Sequence, residues 1–222
     1  MTRETILLRL RALLDEAPPL PSDVPAFPMS GDPAAAFRRE AERVTTRVIE
    51  GRSLETALSL VLEETKQTRF HWQGLDMLTR HGIAYAPVEL PSSPTLLVSK
   101  HPQGRVVFPL ELETEPYSRS AVAEVQVSVG SAVYGVAETG TIVETVESGW
   151  GRVLPILAPC HVTLLSRSRL LENHAELFRT LDLNSGGSAR LLMTGPSRTA
   201  DIEKTLILGV HGPGRLFVVL LP

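Results

Sequence analysis

Cys160 is the single cysteine in this chain of 222 residues. That excludes an internal disulfide and any zinc or iron–sulfur site built on the chain's own set of thiolates. Lysine is almost as scarce, standing only at 66, 100 and 204. The basic charge is therefore carried by arginine, whose planar fork can hold anions in a bidentate way. A net charge of -3 leaves no electrostatic footprint for nucleic acid. No apolar run approaches the ~20 residues needed to cross a bilayer. The opening Thr2-Arg3-Glu4-Thr5 lacks the long apolar stretch of a signal peptide. The dinucleotide glycine fingerprint and the Walker phosphate loop are missing as well. These absences predict a soluble, cytoplasmic protein with no nucleic-acid partner and no membrane span.

What is present is ample core material, with 43% hydrophobic and 21% charged residues. Residues 3–15 place Ile6, Leu7, Leu10, Leu13 and Leu14 on one helical face. Prolines at 18, 19, 21, 25, 28 and 33 follow, so residues 1–33 read as a helix on an extended linker and 34–222 as an α/β domain. Within that domain the pattern predicts helices over Ala34–Arg43 and from Ser53 onward, and a β-branched run at Thr45–Ile49. A further helix is expected from His71 to Leu78, with strands at Thr95–Ser99 and Arg105–Phe108. Later strands fall at Ala123–Val129, Thr141–Val146, Cys160–Leu165, Arg190–Met193 and Leu216–Leu221, and helices at Ser168–Leu181 and Asp201–Leu208. Apolar strands alternating with amphipathic helices predict a mostly parallel sheet in an α/β layered fold.

Three stretches carry chemistry. Gly195-Pro196-Ser197-Arg198-Thr199-Ala200-Asp201-Ile202-Glu203 reads as a tight turn entering a helix, where free amides, hydroxyls and Arg198 would gather an anion. Ala137-Glu138-Thr139-Gly140-Thr141 precedes a strand. There Gly140 allows close approach to the backbone, Thr139 and Thr141 can donate, and Glu138 could act as base or nucleophile. His211, a candidate catalytic histidine, stands in the turn Gly209–Gly214, where Gly212-Pro213-Gly214-Arg215 suits a type II turn. Each stretch also has a plain reading: a capped helix start, a strand-entry turn and a capping histidine. His161 reads as a structural strand histidine, and Trp150 as a loop aromatic folded over the core. A metal site of Asp201, Glu203 and His211 is disfavoured, because residues two apart on a helix do not face the same way.

Taken together, in this order, these motifs resemble the LUD (lactate-utilisation) domain family. Leu154-Pro155 with His161 and Gly209-Val210-His211-Gly212-Pro213 add to the likeness, and its closest branch is the small single-domain one. The resemblance is specific over Ala123–Pro222 and looser over Ala34–Ser99. It implies the three-layer α/β/α sandwich shared by ribose-5-phosphate isomerase and the CoA transferases. It also implies a part in oxidising L-lactate to pyruvate beside a larger partner that carries iron–sulfur clusters. With no cofactor of its own, the chain would be a non-redox accessory subunit binding a small carboxylate or phosphate. Two alternatives stay open: an enzyme using Glu138 in the manner of CoA transferases or acting on a sugar phosphate, and a ligand-sensing or structural subunit. A homo-oligomer is open too.

Overall fold

The computed structural model describes residues 3–5, 7–9, 31–50, 54–66, 71–72, 85–90, 93–101, 104–109, 123, 125–146, 152–181, 189–200 and 206–222. Helix α1 (Pro33–Arg43) begins where Asp32 caps it, its carboxylate accepting from the amides of Ala34 and Ala35, with Pro33 in the first turn. It ends in a Schellman pattern: Thr46 N–H donates to the Ala41 carbonyl and Thr45 N–H to that of Glu42. The left-handed residue closing this cap is Thr45, at φ 65, where glycine is usual.

Strand β1 (Arg47–Glu50) follows, then α2 (Leu54–Thr65) and β2 (His71–Trp72). A separate antiparallel sheet holds β3 (Tyr85–Leu90), β4 (Ser93–His101) and β5 (Gly104–Pro109). The main sheet is completed by β6 (Val127–Val136), β7 (Thr141–Val146), β8 (Cys160–Ser166), β9 (Leu170–Leu171), β10 (Ala189–Met193) and β13 (Arg215–Leu221). Helices α3 (Leu154–Leu157) and α4 (His174–Thr180) lie between these strands, and β11 (Arg198–Ala200) pairs with β12 (Leu206–Leu208).

Among the described residues the main sheet has eight strands in the order β1-β13-β8-β6-β7-β10, with β2 and β9 beside β6. The pairs β1–β13, β13–β8, β8–β6, β2–β6 and β9–β6 are parallel, while β6–β7 and β7–β10 are antiparallel. The sheet is thus mixed and mostly parallel, in an α/β fold. Leu216 to Leu221 are all buried, because β13 is flanked by strands on both edges and covered on both faces.

Side-chain alternation assigns those faces. On one, Ala34, Phe37 and Ala41 of α1 pack with Ile142, Leu165, Leu216, Val218 and Leu220. On the other, Leu177 of α4 packs with Val136 and Val143. Strand β6 serves both packings because a bulge between Ala132 and Tyr134 shifts its register. Gly135 leaves room for Leu165 and Leu170, which a Cβ there would approach to 2.6 and 2.8 Å, with the Phe37 ring at 3.2 Å.

Several expectations need correction. The helix predicted over Asp201–Leu208 is replaced at its end by strand β12, and Arg198–Ala200 before it is strand β11. The register pairs Thr199 with Ile207, as antiparallel strands do. Residues Asp201 and Glu203 lie outside the described residues, as do Trp150, Ser53 and most of residues 1–33. His71-Trp72 is a strand pairing with β6, not the start of a helix. The helix expected from Ser168 starts only at His174, after a 3-10 turn and β9, where Asn173 accepts from Glu176 N–H as its cap. Strand β6 runs Val127–Val136, later and longer than expected. Strand β10 is antiparallel and only partly buried, since among the described residues β7 alone flanks it. Gly214 lacks the positive φ of a type II turn; instead its amide and that of Arg215 both donate to the Pro159 carbonyl.

Candidate functional site

The Ala137–Thr141 stretch is the turn from β6 into β7, at the carboxyl end of β6, where ligands of parallel α/β sheets commonly bind. Gly140 takes φ 67, and a Cβ on it would overlap the backbone of Ala41 in α1. Gly195 takes φ 86, and a Cβ there would lie 2.7 Å from the Val44 carbonyl oxygen. Both glycines therefore serve one purpose: they let two turns close on the C-terminal end of α1. Between them a chain of hydroxyls runs from Thr139 through Thr141 to Thr194, each step 2.6 Å. Thr141 is buried and Thr194 exposed, so the chain opens to solvent at Thr194. Arg198, on β11 and not at a helix N-terminus, donates to Thr45 Oγ1 at 2.9 Å. It thereby braces the residue strained in the helix cap.

Ser197 ties this corner to the next loop. Its amide donates to the Pro213 carbonyl, and its own carbonyl accepts from Gly209 N–H. Thr199 lies on β11, opposite Ile207. Glu138 is exposed, with Oε2 3.4 Å from both the backbone nitrogen and Nδ1 of His174. Such distances describe a loose pair, not a desolvated nucleophile.

His211 falls elsewhere. It lines a cleft of about 360 Å³ with Arg152, Val153, Ile156 and Leu157 on one wall and residues 209–212 on the other. Thr139, Thr141, Ser197 and Arg198 do not line it. The cleft sits where chain enters β8 and β13, at the amino ends of those strands.

The most concentrated polar chemistry among the described residues is one that sequence reasoning missed. Glu144, His161, Thr163 and Ser128 are all fully buried on the α1 face of the sheet. His161 Nε2 lies 3.0 Å from Glu144 Oε1, and its Nδ1 lies 2.8 Å from Ser128 Oγ. Thr163 Oγ1 donates to Glu144 Oε1, and Ser128 Oγ donates to the Leu154 carbonyl at 3.1 Å. The signal was the polar residues spaced by two, His161 and Thr163, inside an otherwise apolar strand, with Glu144 in step with Ile142. Sequence reading treated His161 as structural, which agrees with its burial, but did not find its partner. Cys160 beside it is buried as well. Burial pushes its thiol up to about 11 against the opposing pull of Arg215, so it is no ready nucleophile or metal ligand.

No group of three or more metal-ligating side chains occurs among the described residues. No helix among them is long and apolar enough to cross a membrane.

Comparison with known proteins adds a family. The LUD domain family matches residues 34–221. Lactate utilization protein C of Halalkalibacterium halodurans is 31% identical over 103 residues, 44% of this chain and 45% of that protein. Lactate utilization protein C of Bacillus pumilus is 34% identical over 99 residues, 42% of this chain and 41% of that protein. The chain thus spans less than half the length of these two curated relatives. An uncharacterized protein of Neisseria meningitidis serogroup B is 24% identical over 99% of this chain and 93% of its own length. In fold, the chain resembles the crystal structure of a DUF162 family protein from Deinococcus radiodurans, with TM-score 0.50 and 16% identity. That likeness covers 88% of this chain and all of the other.

Proposed function

The chain belongs to the LUD domain family, and from that premise we propose that it is a non-redox accessory protein in the oxidation of L-lactate to pyruvate. It works with an iron–sulfur partner and binds a small anion. The observation that carries this reading is the family match over residues 34–221, joined to relatives named for lactate utilization. The chain's own residues do not fit a thiolate-held cluster: its one cysteine is buried and resists ionisation. Electron transfer therefore falls to the partner, in which iron–sulfur clusters supply it.

Two places suit the small anion. One is the corner where Thr194 ends the hydroxyl chain, with Thr139, Gly140, Thr141, Ser197 and Arg198 from the same motifs. The other is the cleft holding His211. The alternative enzyme reading rests on Glu138, whose place at the carboxyl end of β6 is where such chemistry belongs; its exposure argues against it.

The test is reconstitution. The isolated chain is expected to show no lactate-dependent dye reduction and to be retained by the iron–sulfur partner. The mixture is then assayed with wild type, with residues 1–33 deleted, and with Glu138→Gln. Dye reduction by the isolated chain overturns the accessory reading. Loss of activity with Glu138→Gln while partner capture persists favours the enzyme reading. In calorimetry with lactate, pyruvate and phosphate, Arg198→Ala costs about 1.5–3 kcal/mol if the corner holds the anion.

A further inference from the structure

The cleft between α3 and the loop of residues 209–212 gathers an unusual set of side chains. Ile156, Leu157 and Val210 are 46%, 50% and 50% exposed, and all three line it. Isolated apolar side chains on a surface are ordinary, but three on one concavity mark a binding surface. Arg152 and His211 stand among them, both exposed. Among the described residues neither has a hydrogen-bond or ion-pair partner. The lining includes no aspartate or glutamate to neutralise the guanidinium. Arginine stays ionised and presents a planar fork that matches a carboxylate, and the His211 ring can donate beside it.

We propose that this cleft binds an aliphatic monocarboxylate, its carboxylate held by Arg152 with His211 and its tail laid on Ile156, Leu157 and Val210. The site rests on the small-anion reading above and makes it more specific in two respects. Arg152 becomes the main anchor, and the preferred ligand is larger than a three-carbon acid. The volume of about 360 Å³ equals that of about twelve water molecules at about 30 Å³ each. The six heavy atoms of lactate or pyruvate leave most of it unfilled, whereas the eight of hexanoate carry an unbranched tail toward the apolar wall.

Charge and apolar contact make separable demands, so the experiment varies each in turn. The full chain is titrated by calorimetry with propionate, butyrate, hexanoate, lactate, pyruvate, inorganic phosphate and neutral hexanamide. Affinity is expected to rise up to about fourfold per added methylene. Hexanamide should bind at least about tenfold more weakly than hexanoate. Arg152→Gln should lose about tenfold or more for every acid, and His211→Gln less. Arg152 and His211 are exposed, so melting temperatures of these variants should stay near wild type and keep the comparison clean. Affinity independent of chain length, or acid binding that survives Arg152→Gln, overturns the site while leaving the accessory reading to the partner assay. Absence of binding by any acid or phosphate overturns both the site and the small-anion reading. If no acid binds but Arg152→Gln and Ile156→Asp abolish capture by the iron–sulfur partner, the cleft is a protein-docking surface and the ligand inference falls.

Discussion

The carboxylate of Glu144, on β7, crosses above Gly130 on β6 to meet His161 on β8 at 3.0 Å. Only a residue without a side chain leaves room for that crossing. A Cβ on Gly130 would lie 2.5 and 2.6 Å from the two carboxylate oxygens. Gly130→Ala is therefore expected to destabilise the fold by about 1–3 kcal/mol, the usual cost of overpacking. In a Glu144→Ala background the obstacle is gone, and the same change should cost at least about 1 kcal/mol less. Urea denaturation of the two single variants and the double variant measures this coupling. Additive effects would show that Glu144 does not lie over Gly130.

Proton counting in the same cluster leads to a second prediction. Ser128 has one hydroxyl proton, and it is directed at the Leu154 carbonyl. Nδ1 of His161 must then be the donor to Ser128 Oγ. A single proton remains between Nε2 and Glu144 Oε1, on one atom or the other, so the pair is neutral overall in either arrangement. Nitrogen-15 spectra of the His161 ring should report a protonated Nδ1. A neutral ring protonated on Nε2 alone would mean that Ser128 points its proton at the ring and releases the Leu154 carbonyl. His161→Leu takes the imidazole partner from the buried Glu144 carboxyl, so it should cost about 3–5 kcal/mol. A paired apolar replacement, His161→Leu with Glu144→Leu, should recover part of that loss.

Parts of this architecture were legible in the chain. The helical pattern of Ala34–Arg43 announces α1, and the apolar runs at Cys160–Leu165 and Leu216–Leu221 announce β8 and β13, because amphipathic spacing and continuous burial leave local marks. The motif glycines were legible as positions of close approach, but not what approaches. That Gly140 and Gly195 both close on α1 depends on a helix roughly a hundred residues or more earlier in the chain. Glu144 looked like an ordinary polar member of an alternating strand. Its burial follows from β7 lying inside the sheet, between β6 and β10, which no local pattern encodes. The pattern suggests a helix running through Leu206–Leu208, which is strand β12, because turn residues followed by acids imitate a helix start. The pairing of Thr199 with Ile207 joins positions eight apart, which the turn pattern by itself does not show. Arg152 drew no notice, since nothing in its neighbourhood shows that the loop of residues 209–212 folds to face it.

The cap of α1 supplies a third test. Thr45 occupies a left-handed position at φ 65, which costs a β-branched residue roughly 1–2 kcal/mol. Thr45→Gly removes that strain and also removes the acceptor for Arg198. The exposed hydrogen bond is worth about 0.5–1.5 kcal/mol, so the net change should be small, and in an Arg198→Ala background clearly stabilising. Thermal denaturation of the four proteins in this cycle reads the difference. Equal effects of Thr45→Gly in both backgrounds would show that Arg198 does not brace the cap.

Cys160 provides the pH-dependent prediction. Burial raises its thiol from 9.0 to about 11, with Arg215 pulling modestly the other way. At pH 8 the native thiolate fraction is then about a hundredfold lower than for an exposed thiol, so reaction with a disulfide reagent should be slow until the chain unfolds. The sign of the stability effect follows from which form burial favours. The folded state prefers the neutral thiol, so this contribution is complete below the unfolded value near pH 9 and is lost as pH rises towards 11. The loss should reach about 2–3 kcal/mol. Lysine, tyrosine and arginine also titrate in that range. The measurement is therefore the difference in urea stability between wild type and Cys160→Ala, followed from pH 7 to pH 11. That difference should move against wild type as pH rises, and a flat difference, or rapid native-state labelling at pH 8, would show that the thiol is not buried as described.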